Sequence, residues 1–204
     1  VFTGYDSLEE ETAILGAYNF QGEAVEKPEA GDELILVTDR TPFYGESGGQ
    51  IGDIGSILQD GRLVAEVLDS KKSTEGRIYH VVRTTSAIDE SKTVTLKVDG
   101  ERRAAIMRNH SATHLLHAAL REVLGTHVQQ KGSLVAPDRL RFDFSHFQPM
   151  TQAELADVER RVNAQIRANS AAEVHHMGMQ EALDFGAMAL FGEKYGEQVR
   201  VLKM

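Results

Sequence analysis

The sequence pattern changes from strand-like to helical at the stretch Thr93-Val94-Thr95-Leu96-Lys97-Val98-Asp99-Gly100. Its first six residues alternate, with Val94, Leu96 and Val98 on one face and polar residues on the other, which is typical of a half-buried β-strand. Short strand-like segments separated by glycine and aspartate precede this stretch, whereas a helical pattern follows it. We therefore predict an α+β protein with a domain boundary near Gly100.

The predicted strands before this boundary are short. Besides residues 93–98, they occupy residues 33–38, 62–68 and 77–82. Short strands broken by turns suggest a small closed barrel. We assign residues 1–100 to this β-barrel domain.

The chain beyond the boundary, residues 101–204, forms the second predicted domain. Apolar periodicity predicts a helix from residue 102 to 124 that stops at Gly125. Thr151-Gln152-Ala153-Glu154 is a capping box, which starts a second helix that reaches about residue 168. The remaining predicted elements are strands at 133–135, 140–145, 173–177 and 199–202 and a short helix at 180–187.

Composition and charge limit the function classes. The formal net charge is -9, so the chain does not coat a phosphate backbone indiscriminately, and contact with nucleic acid needs a local basic patch. No apolar run approaches the roughly 18 residues that span a bilayer, so we expect no membrane partner. The lack of cysteine fits a cytoplasmic location and restricts metal ligands to His, Asp and Glu. Because the chain starts at Val1 without Met, we expect it to be a piece of a longer protein.

Three histidines recur at helical spacing inside the first predicted helix. His110, His114 and His117 share one narrow stripe, because a helix turns by about 100° per residue. The stripe is either a solvated polar face or a cleft wall, where two imidazoles one turn apart can bind one Zn²⁺. A metalloprotease is disfavoured, since Ser111 stands where that motif has its glutamate. The role of His117 stays open.

Residues 39–55 form a glycine-rich stretch with five glycines. It has neither the Gly-Lys-Ser/Thr of a phosphate loop nor the helix that follows a dinucleotide fingerprint. One alternative is a turn-rich hairpin between barrel strands. The other is a loop that lines a small-molecule or nucleotide-end pocket, with Thr41 and Gln50 as its polar contacts.

Five motifs occur along the chain in a distinctive order and spacing. They are Thr41-Pro42-Phe43-Tyr44-Gly45-Glu46-Ser47-Gly48-Gly49-Gln50, His110-Ser111-Ala112-Thr113-His114, Gln129-Gln130-Lys131-Gly132-Ser133, Arg141-Phe142-Asp143-Phe144-Ser145-His146 and Phe191-Gly192-Glu193-Lys194-Tyr195-Gly196. Together they resemble the editing region of alanyl-tRNA synthetases of the bacterial type. They are also similar to the freestanding AlaX proteins and, more distantly, to the editing domain of threonyl-tRNA synthetases. The resemblance spans essentially the whole chain.

This resemblance implies a fold and an activity. The implied fold is a small N-terminal β-barrel followed by an α/β editing domain with an antiparallel sheet and long helices, the type common to threonyl- and alanyl-tRNA synthetases. The implied activity is hydrolysis of the ester in Ser-tRNA(Ala) and Gly-tRNA(Ala). The expected partners are the tRNA(Ala) 3′ end carrying serine or glycine and the rest of the synthetase chain, which in full length also binds ATP.

The resemblance also implies a set of site residues. The family's Zn²⁺ is held by the two histidines of His-x-x-x-His and by a later Cys-x-x-x-His. His110 and His114 match the first pair, and we expect the second pair beyond Met204, so the metal site is incomplete within this chain. Thr113 and Gln130 match catalytic positions. The substrate-binding positions are Thr41, Gly48, Gly49 and Gln50.

Thr41 is our candidate contact for the serine hydroxyl, because an alanyl ester would leave that polar group unpaired. The hypothesis requires the loop with Thr41 and Gln50 to share a cavity with His110 and His114. Some basic residues are available as phosphate contacts, although each can instead be an ordinary surface charge. They are Arg102, Arg103, Arg108, Lys131, Arg139, Arg141, Arg160 and Arg161.

Three alternatives remain. One is a freestanding AlaX-like trans-editing deacylase, and another is a non-catalytic tRNA-binding module with the same fold. The third is an unrelated zinc hydrolase with Asp or Glu as further ligands, in which the glycine-rich loop has no role.

Overall fold

The computed structural model describes residues 1–171, 173–185 and 196–203. The elements in chain order are β1 (Glu9–Tyr18), β2 (Glu33–Thr38), β3 (Gly55–Gln59), β4 (Arg62–Lys72), β5 (Ile78–Thr84), β6 (Thr93–Val98), α1 (Gly100–Leu124), β7 (Gln130–Val135), β8 (Leu140–Phe144), α2 (Gln152–Ala168), β9 (Glu173–Gly178), α3 (Met179–Asp184) and β10 (Gln198–Lys203). They group into two compact units. Unit 1 comprises Val1–Arg108 and Val135–Arg139, and unit 2 comprises Asn109–Leu134 and Leu140–Met204.

Unit 1 contains a closed antiparallel barrel with the strand order β1-β2-β5-β4-β3-β6. The predicted small barrel is therefore confirmed. β2 and β6 have the predicted bounds, and β4 and β5 extend beyond the predicted segments. The predicted inward face of β6 is also confirmed, since Val94, Leu96 and Val98 are all buried in the barrel core.

Two barrel strands, β1 and β3, were not predicted. In β1 the register shifts between Ile14 and Gly16, whereas β3 alternates regularly but is only five residues long. A register shift such as that in β1 interrupts the strict alternation on which strand prediction depends. β1 also begins with three glutamates, so its sequence lacks the apolar appearance of a barrel strand.

Unit 2 is built around α1 and α2. Gly125 ends α1 with φ +116°, and its N–H donates to the Arg121 carbonyl at 3.0 Å. The capping box at the start of α2 is confirmed, because the Thr151 side chain accepts from the Glu154 N–H and the Glu154 carboxylate accepts from the Thr151 N–H. The core between these helices includes Leu120 and Val158.

The apolar residues Leu155, Val158, Val162 and Ile166 recur at helical spacing along α2, and this stripe is only partly buried. Val158 is buried and Val162 packs against the core, whereas Leu155 and Ile166 are exposed. In the described part of unit 2 the stripe therefore contributes its middle, and not its ends, to the core.

Strands β7 to β10 form two separate two-stranded sheets, not one larger antiparallel sheet, in the described ranges. β7 and β8 are a hairpin, and β9 pairs with β10 in antiparallel register. The predicted short helix is α3, although residues 186 and 187 of that prediction lie outside the described residues. The motif at 191–196 also falls there, except for its last residue.

The predicted boundary at Gly100 coincides with the start of α1, whereas the two units divide within α1, after Arg108. The hairpin tip at Val135–Arg139 belongs to unit 1. Across the described residues, we find no helix with the length and apolar character needed to cross a membrane.

Candidate functional site

The first predicted site element is the histidine pair on α1. The ring centroids of His110 and His114 are 5.1 Å apart and the rings are stacked, with an interplanar angle of 26°. Burial lowers the pKa of His110, and the neighbouring His114 lowers it further. A neutral imidazole keeps the nitrogen lone pair that a metal needs. The helix α1 thus carries two adjacent imidazole rings whose nitrogens are of the type that binds a metal.

These two rings fit two of the four ligand positions of a zinc site. Imidazole nitrogens are ligands that zinc prefers, and the i, i+4 spacing on α1 places both rings together. Within the part of the chain that the structure describes, no group of three or more His, Asp or Glu side chains could hold a metal. His110 and His114, the two predicted zinc ligands, are therefore adjacent on α1, and the described residues around them complete no metal site.

His117 does not belong to the same surface, which corrects the expected stripe of three histidines. It is 6% exposed, and its ring lies 5.0 Å from that of Phe142. Burial lowers the pKa of His117, with a further contribution from Arg121, while the Val128 carbonyl opposes the shift. Neither ring nitrogen makes a hydrogen bond of good geometry. Its side chain is thus part of the interior, because the buried side of α1 is wider than the apolar residues alone indicate.

The two predicted catalytic residues also lie in unit 2. Thr113 is buried, and its hydroxyl donates to the Asn109 carbonyl at 2.8 Å. Such a bond to the preceding helical turn is common for threonine within a helix. Gln130 is half-buried at the first position of β7. Their catalytic roles stay predictions.

The glycine-rich segment of unit 1 contains a tight turn. Gly48 and Gly49 have φ of +58° and +81°, and Ser47 and Gln50 exchange backbone hydrogen bonds of 3.2 and 3.0 Å around them. Two consecutive positive φ values are what a two-residue turn of this kind requires. The Gly49 carbonyl then accepts from the Val135 N–H at 2.8 Å. The stretch therefore contains a tight turn, but it is not a hairpin between paired barrel strands, because β2 and β3 are not neighbours in the barrel. Binding by residues 48–50 stays a prediction.

Thr41 is engaged inside the barrel unit. Its side chain is 3% exposed, its Oγ1 lies 2.8 Å from Nε2 of His80, and the same oxygen accepts from the Phe43 N–H at 3.1 Å. The other ring nitrogen of His80, Nδ1, lies 3.1 Å from the Leu36 carbonyl. Burial lowers the pKa of His80 to about 4, against the opposing effect of the Leu36 carbonyl. The ring is therefore neutral at neutral pH.

Sequence reasoning missed His80. It occupies a position of β5 that alternation assigns to the inside of the barrel, next to Val82 two residues further on. A polar side chain on the buried face of a strand requires a hydrogen-bond partner. That rule singles out His80, although it does not identify Thr41 as the partner.

A cavity of about 300 Å³ lies in unit 1 beside Thr41. Leu15, Val37 and Ile78 supply apolar lining, and Arg77 contributes to its wall. Thr41 is the predicted substrate-binding residue that lines this cavity, whereas residues 48–50 do not. The predicted substrate contacts are thus distributed over two places in the barrel unit.

Arg103 is not a phosphate contact, contrary to the prediction. It is 7% exposed, pairs with the carboxylate of Asp53, and donates to the carbonyls of Gly4 and Pro42 at 2.9 and 2.8 Å. It lies in the first turn of α1, and its side chain points into unit 1. A guanidinium engaged in this way cannot reach a phosphate.

Several other predicted phosphate contacts already have acidic neighbours. Arg139 pairs with Asp138, Arg141 pairs with Asp143, and Arg160 pairs with Asp157. These pairs are exposed, so each contributes little to stability and its arginine can exchange partners readily. Lys131 and Arg108 are exposed as well.

Comparison with known proteins identifies clear relatives. Residues 1–102 match the family model of tRNA synthetases class II (A), which is half of the chain. The whole chain is 59% identical over 206 residues to an alanine–tRNA ligase of Stenotrophomonas maltophilia strain K279a. It is 60% identical over 205 residues to that of Xanthomonas axonopodis pv. citri strain 306 and to that of Xanthomonas euvesicatoria pv. vesicatoria strain 85-10. The chain spans 23% of the length of these relatives.

Proposed function

This chain belongs to the family of class II (A) tRNA synthetases, and from that premise we propose that it is the editing region of an alanine–tRNA ligase. In this role it hydrolyses the ester that joins serine or glycine to the 3′ end of tRNA(Ala). One observation carries the proposal. It is the stacked pair His110 and His114 in a chain that, over the whole of its own length, is 59% identical to part of an alanine–tRNA ligase.

The chemistry explains why such a ligase needs a second site. Glycine is smaller than alanine, and serine only adds a hydroxyl, so a pocket built for alanine cannot exclude either completely. A methylene or a hydroxyl in a pocket is worth only about 1–3 kcal/mol of discrimination. Hydrolysis at a separate site removes the wrong products when it accepts serine or glycine and refuses alanine.

His110 and His114 would hold the Zn²⁺, with two further ligands supplied from beyond Met204. When bound, zinc supplies a Lewis acid that polarises a carbonyl or a water molecule. His110 contributes a neutral ring, since burial lowers its pKa. Both rings lie on the same helix, one turn apart, which limits the ordering that metal binding requires.

The two catalytic candidates have different capacities to position a reacting group. The only hydroxyl proton of Thr113 is used by the Asn109 carbonyl, so Thr113 can only accept a hydrogen bond. Gln130 has an amide, which can donate and accept at once. We assign the orientation of water or ester to Gln130, and assign Thr113 a supporting role on the helix that carries the histidines.

Recognition of the tRNA draws on few cations in this region. With a net charge of -9 and Arg103 buried, affinity of the region alone for tRNA is weak and falls with added salt. Most of the affinity comes from the rest of the synthetase chain. A cytoplasmic location follows from this proposal.

A bulky replacement of Gln130 in the complete ligase tests the proposal. Gln130→Trp fills the space around the first position of β7, and we expect it to abolish hydrolysis of Ser-tRNA(Ala) while aminoacylation with alanine is retained. Gln129→Trp is the matched control, because it makes the same change at the neighbouring, exposed residue. Hydrolysis that survives Gln130→Trp at the level of the control would refute the assignment.

The same assay separates the alternatives. A non-catalytic tRNA-binding module would bind tRNA(Ala) without hydrolysing the ester in either variant or in the wild type. A freestanding deacylase of the AlaX kind would hydrolyse the ester but would not attach alanine to tRNA.

A further inference from the structure

We infer that His80 is a positioning residue that fixes the direction of the Thr41 hydroxyl, so that Thr41 acts as a hydrogen-bond acceptor for the hydroxyl of a seryl ester. This inference rests on the proposed function and adds to it the residue that sets selectivity for serine. It follows from the hydrogen bonds of two buried side chains and from the cavity beside them.

The contact with the Leu36 carbonyl sets the tautomer of the His80 ring. Nδ1 lies 3.1 Å from the Leu36 carbonyl, and a carbonyl oxygen can only accept. Nδ1 therefore carries the ring proton and donates it to Leu36. Because the ring is neutral, Nε2 has no proton and can only accept.

The Thr41 hydroxyl has one proton to donate and two lone pairs that can accept. Its oxygen lies 2.8 Å from the unprotonated Nε2 of His80, so the hydroxyl must donate its single proton to that nitrogen. The same oxygen accepts from the Phe43 N–H at 3.1 Å, which uses one of its two lone pairs. One acceptor position remains, and there is no proton left to donate.

The remaining acceptor position of Thr41 determines which ligand group can bind to it. Thr41 lines the cavity of about 300 Å³, which has apolar lining from Leu15, Val37 and Ile78. A ligand that reaches Thr41 must offer a hydrogen-bond donor on a small group. The seryl side chain offers an O–H, whereas the alanyl side chain is a methyl and would leave the oxygen unpaired.

Packing alone does not account for a histidine at this position. The ring is fully buried among barrel residues and lies edge-on to Phe43 at 5.2 Å. An apolar ring would make similar contacts without the expense of burying two ring nitrogens. The particular effect of His80 is to take the Thr41 proton.

Three variants of the complete ligase test the inference through the ratio of kcat/KM for Ser-tRNA(Ala) to that for Gly-tRNA(Ala). Thr41→Val removes the acceptor at nearly constant volume, and His80→Phe releases the Thr41 proton. We expect each to lower the ratio by about tenfold, the value of one net hydrogen bond. His80→Gln can accept from Thr41 through its amide oxygen, so we expect it to restore most of the ratio.

Glycyl-tRNA serves as the internal reference, because glycine makes no side-chain contact with Thr41. If the wild type hydrolyses neither ester, the proposed function fails and the inference falls with it. If the wild type hydrolyses both, and the ratio is the same in Thr41→Val or in His80→Phe as in the wild type, the inference alone is overturned. Equal loss of both activities in Thr41→Val also overturns it, since that indicates a purely structural role.

A spectroscopic measurement on the unmodified protein covers the case in which His80→Phe does not fold. Long-range ¹⁵N–¹H spectra distinguish the two neutral tautomers of a histidine ring. We expect the His80 ring to carry its proton on Nδ1. A proton on Nε2 would mean that Thr41 accepts from His80, which contradicts the inference directly.

Discussion

The carboxylate of Asp53 accepts hydrogen bonds from Nε and Nη2 of Arg103, and both side chains are buried. The remaining donors of the guanidinium reach the carbonyls of Gly4 and Pro42. Asp53 in turn accepts from the Tyr44 N–H at 2.7 Å. Within unit 1, this ion pair therefore ties the beginning of α1 to the glycine-rich segment and to the first residues of the chain.

Removal of either partner leaves a buried charge without compensation. We expect Asp53→Asn and Arg103→Met each to lower the free energy of unfolding by about 3–5 kcal/mol. The measurement is urea unfolding followed by far-UV circular dichroism. The control is Asp60→Asn, which breaks the exposed pair with Lys92 and should lower stability by less than about 1 kcal/mol. Equal effects for the buried and exposed pairs would show that the Asp53–Arg103 pair is not an anchor.

Acidification destabilises the barrel through His80. Burial lowers the pKa of His80 from 6.5 to about 4, so below pH 6.5 the unfolded chain binds a proton that the folded chain does not. Stability therefore falls as the pH drops from 6.5 towards 4, by about 1.4 kcal/mol per pH unit. Between pH 7.5 and pH 5 the loss from this group is about 2 kcal/mol.

Urea unfolding at pH 7.5 and pH 5 measures this loss when wild type and His80→Gln are compared. On going to pH 5, the free energy of unfolding of the wild type should fall by about 2 kcal/mol relative to that of His80→Gln, because glutamine does not titrate. His176→Gln is the control, since His176 is exposed on β9, and we expect it to follow the wild type at both pH values. A stability difference between wild type and His80→Gln that does not change with pH would disprove the burial of a neutral His80.

Gly52 is required for close contact with β4. A Cβ at this position would lie 2.0 Å from the Ser70 carbonyl oxygen and 2.6 Å from Oδ1 of Asp69. Gly52→Ala must therefore displace the backbone, and we expect a loss of stability of at least about 1–3 kcal/mol in thermal or urea unfolding. At Gly178 the nearest atom to such a Cβ is 4.0 Å away, so Gly178→Ala is the matched control. It should change the free energy of unfolding by less than about 1 kcal/mol. Similar losses for both variants would contradict the close contact.

The regular helices and strands of this fold were predictable from the sequence because each has a local signal, either a constant hydrophobic period or a capping motif. The alternation of Val94, Leu96 and Val98 predicted β6, and the Thr151–Glu154 box predicted the start of α2. β1 was missed because a register shift interrupts its alternation, and β3 because it is only five residues long. Pairing partners, and hence the separation of β7–β8 from β9–β10, depend on contacts between distant residues and leave no local pattern.

The candidate site was predictable where residue type determines chemistry. The i, i+4 spacing of His110 and His114 predicted adjacent rings, and the stacked rings on α1 confirm their adjacency. The burial of His117 and Arg103 was not predicted, since a polar side chain gives no periodic signal when it turns into the interior. The link from His80 to Thr41 joins residues 39 positions apart, and no sequence spacing indicates it.

Hydrolysis of Ser-tRNA(Ala) by the complete ligase, measured together with its zinc content, tests the assignment of His110 and His114. In the double variant His110→Ala/His114→Ala we expect bound zinc to be lost and hydrolysis to fall to the uncatalysed rate. Aminoacylation with alanine should be retained. The double variant His175→Ala/His176→Ala, which removes two histidines from β9, should retain both zinc and hydrolysis. Full hydrolysis in the absence of His110 and His114 would contradict the proposed editing site.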